Sequence, residues 1–181
     1  YNTFGEVNRY FGKLPPAVAF YEKAAELFEE VKDYENVAIA RQALGDTLRR
    51  IGLAVRLREG IDASQWYFNL AKENLELAIA LYHQYGLDRD APAVHRRYGR
   101  YWRDIGDNHQ AIHEFTAALD TAKSNNDALE SLEALRELLF IAARLTDEER
   151  FGVWYSQYKA IIHDSHSHLP HIIAVFEPLG K

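Results

Sequence analysis

Residues 92–127 carry the sharpest alternation of apolar and polar positions in the chain. Ala111, Phe115, Ala118 and Leu119 fall at i, i+4, i+7 and i+8, the single buried stripe of an amphipathic helix. Upstream, a first helix is predicted from Pro92 to Ile105, because proline fits the first turn, where its missing N–H is not needed. Gly106-Asp107 turns between the two helices, and Asn125-Asn126-Asp127 closes the pair. Small residues at Gly99, Ala111 and Ala118 let the helices approach closely, while Trp102 and Phe115 fill the space between them. The pattern predicts a helical hairpin.

That hairpin recurs. Gly5 and Gly12, Gly45 and Gly52, and Gly99 and Gly106 are pairs seven residues apart. The first two pairs are offset by 40 residues, and the third lies 54 beyond the second, which is 40 plus 14. One unit therefore repeats, with a 14-residue insertion, 53–66, in its second copy. A period of this size marks a solenoid, whose units bury their apolar faces against neighbours. The predicted units are 1–37, 38–91, 92–127 and a degenerate 128–162, followed by a His-rich connector and C-terminal helix or tail at 163–181. In the insertion, Leu53, Val55 and Leu57 with Arg56 and Arg58 read as a prolonged helix. It would turn at Gly60, before a cap at Asp62 or Ser64. The alternative is a protruding loop that touches a partner.

Tyr98-Gly99-x-x-Trp102, then Gly106-Asp107, Ala111, Phe115 and Ala118, closely resembles the tetratricopeptide repeat. Phe4-Gly5, Gly12, Ala17, Tyr21 and Ala24 repeat the pattern, as do Leu44-Gly45-x-x-Leu48, Gly52, Ala71, Leu75 and Ala78. In the fourth unit Leu139, Phe151, Tyr155 and Tyr158 stand where the family has glycine, alanine, an aromatic and alanine, so the usual close packing is not expected there. The resemblance spans roughly residues 1–160 and is strongest in the third unit. It implies an all-α fold, a right-handed superhelical solenoid of antiparallel helix pairs. The 40-residue period, against ~34 in the family, implies longer helices, as in the arrays of bacterial signalling regulators.

In such arrays the first helix of each pair lines the concave side. Carried over, that geometry selects Asn2, Glu6, Arg9 and Tyr10, then Ile39, Gln42, Asp46, Arg49 and Arg50. It continues with Ala93, Arg96, Arg100, Arg103 and Asp104, then Glu133, Arg136, Phe140, Ala143 and Arg144. Eight of these are Arg, four are acidic and none is Lys, in a chain of net charge −6. Acid falls on the second helices instead, as at Glu22, Glu26, Glu73, Glu76 and Glu114. The guanidinium fork grips carboxylate or phosphate bidentately, so this face suits an acidic ligand. The competing expectation is that Asp46, Asp104 and Glu133 neutralise the arginines within the array. Tyr10, Tyr101 and Phe140 would add apolar contact if they face inward.

Composition narrows the classes. With 181 residues, 48% hydrophobic and 27% charged, the chain suits one folded domain. The acidic balance argues against nucleic acid and anionic membrane as partners. No apolar run is long enough to span a bilayer and no signal-peptide pattern opens the chain. Absence of Cys excludes disulfides and fits a cytoplasmic location. Met is absent even at position 1, as expected of a piece cut from a longer protein.

Histidines offer the only metal-like pattern. His163-x-x-His166-x-His168-x-x-His171 has short spacing but matches no fixed motif, and Ser165, Ser167 and Pro170 favour a connector. His163, His166 and His168 are the candidate ligands should the connector reading fail. His109 and His113 stand four apart, yet Gln110 replaces the glutamate that a zinc peptidase needs. No phosphate loop, nucleophile elbow or carboxylate pair is found. No enzyme activity and no cofactor is therefore expected. The sequence reads as a protein-interaction module that binds an acidic peptide or protein segment on its concave face, the sensor or scaffold part of a larger protein. A purely structural or oligomerisation array is the alternative, and a second copy of the chain is a further candidate partner.

Overall fold

The computed structural model describes residues 1–87 and 89–166. Among them are eight helices and no strand, α1 (Asn2–Tyr10), α2 (Leu14–Glu30), α3 (Tyr34–Glu59), α4 (Ile61–Tyr85), α5 (Ala91–Ile105), α6 (Asn108–Ser124), α7 (Ala128–Leu145) and α8 (Glu148–His166). None is long and apolar enough to cross a membrane.

One turn joins most of them. At the end of α5 the Gly106 N–H donates to Arg103 O at 3.1 Å and the Asp107 N–H to Trp102 O at 2.9 Å, which satisfies the last carbonyls of the helix. Gly106 has φ +99°, a left-handed backbone that favours glycine. Asp107 then caps α6, its carboxylate accepting from the Gln110 N–H at 3.0 Å. Asp33, Asp127 and Asp147 cap their helices in the same way. The left-handed position before them is held by Lys32, Asn126 and Thr146, at φ 58°, 55° and 54°.

Packing within the pairs rests on missing side chains. A Cβ at Gly99 would lie 2.6 Å from the Phe115 ring, and one at Gly5 would lie 2.5 Å from that of Tyr21. Gly45 faces Ala71 and Leu75, while Gly52 faces Tyr67 and Phe68, so α4 runs antiparallel to α3. Ala17, Tyr21, Ala71, Ala78, Ala111 and Phe115 are fully buried. Trp102 joins the two main core clusters, one built from α2 to α5 and the other from α6 to α8. Successive helices pack on one another, and α3 also touches α5 and α5 touches α7.

Residues 53–66 form no loop. They end α3 and open α4, with Gly60 alone between the helices. The cap expected at Asp62 or Ser64 is not there. Gly60 occupies the N-cap position without a side chain to offer, and Ser64 Oγ donates back to Ile61 O at 2.7 Å. Glycine is needed at this corner, where φ is +96°. The extension reaches the next pair, since Arg56 donates to the Asp104 carbonyl at 2.7 Å. That cation sits at the C-terminal end of α5, where exposed carbonyls favour it.

Candidate functional site

The spacing of α5 and α7 generates a ladder of ion pairs. Arg96, Arg100 and Arg103 recur in steps of four and three, and Glu130, Glu133 and Glu137 in steps of three and four. Each set forms a stripe on its helix, and the stripes meet. Arg96 grips Glu130 with both Nε at 3.2 Å and Nη2 at 3.1 Å, and reaches Glu133 at 3.5 Å. Arg100 Nε donates to Glu137 at 2.6 Å, and its Nη2 lies 3.9 Å from Glu133. Arg103 donates to the other Glu137 oxygen and pairs with Asp104 at 3.3 Å.

The ladder continues across α3 to α1. Arg49 holds Asp46 at 2.8 Å and also pairs with Asp104 of α5. Arg9 pairs with Glu6, donates to the Tyr21 hydroxyl at 3.3 Å and lies 4.0 Å from Asp46. The carboxylate partners of these five arginines lie within the chain. Arg136 joins them at the margin, 2.9 Å from Glu133.

Burial makes the ladder a structural commitment. The side chains of Glu137, Asp46 and Arg49 are each only 8% exposed, so their charges depend on one another. Burial alone would raise the Asp46 carboxyl above its ordinary range, but Arg49 and Arg97 outweigh it and hold the group lowered. Glu6 is lowered in the same way, by Arg9 and the Tyr21 hydroxyl acting against its burial. A depressed carboxyl contributes stability that is fully present above the unfolded pKa of about 4 and is lost as pH falls through the folded value. Stability measured by urea unfolding is therefore expected to fall below about pH 4, and less steeply in Asp46→Asn.

Two of the arginines expected on the inner face have no carboxylate partner among the described residues. Arg144 is exposed, with its guanidinium carbon 5.9 Å from the Phe140 ring centre. Arg50 borders a smaller cleft of about 500 Å³ beside Arg9, Tyr10 and Phe11. Tyr10 is 86% exposed and Phe140 52%, whereas Tyr101 belongs to the core.

A larger cleft, about 690 Å³, opens where the fourth pair departs from the others. Leu139 stands 16 residues before Tyr155, as Gly99 stands before Phe115 and Gly5 before Tyr21. At both glycines even a Cβ would strike the ring, whereas here a leucine takes that place and lines the cleft together with Tyr155. Tyr158 is buried between the helices instead. Phe140, Ala143, Phe151 and Tyr155 line the resulting apolar cleft, with Arg103, Arg136 and Arg144 around it. Glu137 and Asp104 also border it, but both are engaged by ladder arginines.

Of the histidines considered as ligands, His163 is exposed on α8 and His166 ends that helix, while His168 and His171 lie outside the described residues. No group of metal-ligating side chains gathers among the described residues. His95 is held by Glu114 at 2.8 Å, an acid of the following helix. No protein-family model matches the chain, and no curated protein sequence matches it.

Proposed function

We propose that the chain is a protein-interaction module, a right-handed superhelical array of the tetratricopeptide type, and that the cleft between α7 and α8 receives its partner. The occupant is an apolar protein segment with a carboxylate beside its anchor residue. The observation that carries this reading is Arg144, exposed with no carboxylate partner among the described residues, at the edge of an aromatic cleft whose other arginines already hold internal acids. Phe140, Phe151 and Tyr155 would take the apolar anchor, and Arg144 would take the acid. Net positive charge on the rim opposes the chain's overall −6, which favours an acidic segment over a basic one.

The experiment is selection of peptides from a random display library on the full chain. The expected result is enrichment of sequences with Asp or Glu next to an aromatic or aliphatic residue. Phe140→Ala should weaken the selected peptides about tenfold, the loss of roughly 1.4 kcal/mol from a truncated anchor. No enrichment, or binding untouched by Phe140→Ala, would remove the cleft as the docking site.

A second reading has its own support. Because Arg49, Arg96, Arg100 and Arg103 bind carboxylates on α3, α5 and α7, the ladder serves to fix successive pairs against one another. An array so tied would act as a rigid spacer or oligomerisation arm without a groove ligand.

A further inference from the structure

Past His166 the chain runs on through Leu169, Ile172, Ile173, Val175, Phe176 and Leu179, with Glu177 as the only acid after Asp164. These positions lie outside the described residues. Phe176-Glu177 sets a carboxylate beside an aromatic residue, the pairing that the cleft between α7 and α8 suits. A run this apolar gains by leaving water.

One surface that could cover it is a groove along α8 beside Lys159, Ala160, Ile162 and His163. That groove has no aromatic wall, and its cation, Lys159, already lies over the Tyr155 ring at 4.7 Å. The other is the cleft of about 690 Å³, walled by Phe140, Phe151 and Tyr155. At its edge Arg144 has no carboxylate partner among the described residues. Only this second surface matches both the ring and the charge of Phe176-Glu177.

Reach and direction agree. Helices α7 and α8 touch and are joined by Thr146 and Asp147 alone, so they run antiparallel. Arg144 therefore stands near the start of α8, and His166 marks the far end. Tyr155 is 11 residues before His166, about 17 Å back along the helix. The ten residues from His166 to Phe176 can span up to about 33 Å. A segment that doubles back along α8 meets Tyr155 first, then Phe151, then Arg144.

We propose that residues 169–179 fold back over α8 and occupy the α7/α8 cleft of the same chain, with Phe176 among its rings and Glu177 on Arg144. This occupancy rests on the cleft being a docking site and gives it a resident occupant. A short tether supplies an effective concentration on the order of 1 mM, so even a millimolar affinity fills the cleft about half the time. An outside partner gives up only about twofold in affinity to displace it.

The chain has no Cys, so an introduced pair reports proximity without background. A disulfide closes only when the two Cα atoms come within about 7 Å. Ala143 lines the cleft and Ala160 the α8 groove, and both are exposed, so neither change disturbs the core. In the full chain, Ala143→Cys with Val175→Cys should close at least about tenfold faster under mild oxidation than Ala160→Cys with Val175→Cys. Arg144→Glu should slow the first pair about fivefold as occupancy falls, and adding Glu177→Lys should restore its rate.

Equal rates for the two pairs, or a first-pair rate untouched by Arg144→Glu, would overturn the proposal. So would a link that joins two chains, which would seat the segment of a second copy in the cleft. Equal rates beside a library-selected peptide that depends on Phe140 would remove this occupant and leave the cleft a docking site. Fast closure with no selectable peptide would keep the occupant and remove the outside partner.

Discussion

Phe115→Ala is expected to destabilise the fold by about 3–5 kcal/mol, the cost of emptying a fully buried aromatic site. The ring has no exposure and fills the core between α5, α6 and α7, pressed against Gly99. Backbone on both sides is helical and capped, so little collapse into the cavity is available. Urea unfolding checks the value, and a loss under about 1 kcal/mol would mean that α5 and α6 repack freely. The same ring explains Gly99. Gly99→Ala should destabilise the native chain through overpacking of about 1–3 kcal/mol, and much less once Phe115 is alanine, since the atom it strikes is gone.

Glu137→Ala is the next largest effect, about 2–3 kcal/mol. Its carboxylate accepts from both Arg100 and Arg103, and removal leaves Arg103 with Asp104 alone at 3.3 Å and Arg100 with only the more distant Glu133 at 3.9 Å. Those arginines are about a fifth exposed, so water recovers part of the loss and the value falls below that of a fully buried pair. Arg100→Glu should be destabilising for the same reason, because it sets a third carboxylate beside Glu133 and Glu137. A urea midpoint unchanged in Glu137→Ala would mean that the ladder contributes nothing to stability.

Much of the architecture can be read from single residues. The first glycine of each pair, Gly5, Gly45 and Gly99, marks a position where an aromatic or leucine presses on bare backbone, and the spacing of Gly99 to Phe115 recurs at Gly5 and Tyr21. Gly60 announces a helix corner, because few other residues turn so sharply. The turns at Lys32 and Thr146 are hidden from such a reading, since ordinary side chains there adopt a backbone that glycine usually signals. The aspartate that follows each is the better mark.

The site was legible by half. The arginines of the first helices stand out by charge, but their partners Glu130 and Glu137 are recognised only once α5 and α7 are set side by side. A matching clue exists, because 96, 100, 103 and 130, 133, 137 both span seven residues. The bulky residues of the fourth unit foretell looser packing. That a cleft opens there beside Arg144 is seen only once α7 and α8 are set side by side.

The most direct test of recognition at this cleft is charge reversal at its rim, measured with an acidic peptide selected on the native chain. Arg144→Glu is expected to weaken that peptide at least about tenfold while shifting stability by no more than about 0.5 kcal/mol, since Arg144 takes part in no ion pair among the described residues. Affinity in Arg144→Glu equal to that of the native chain would contradict docking at the cleft and leave the rigid spacer as the function of the array.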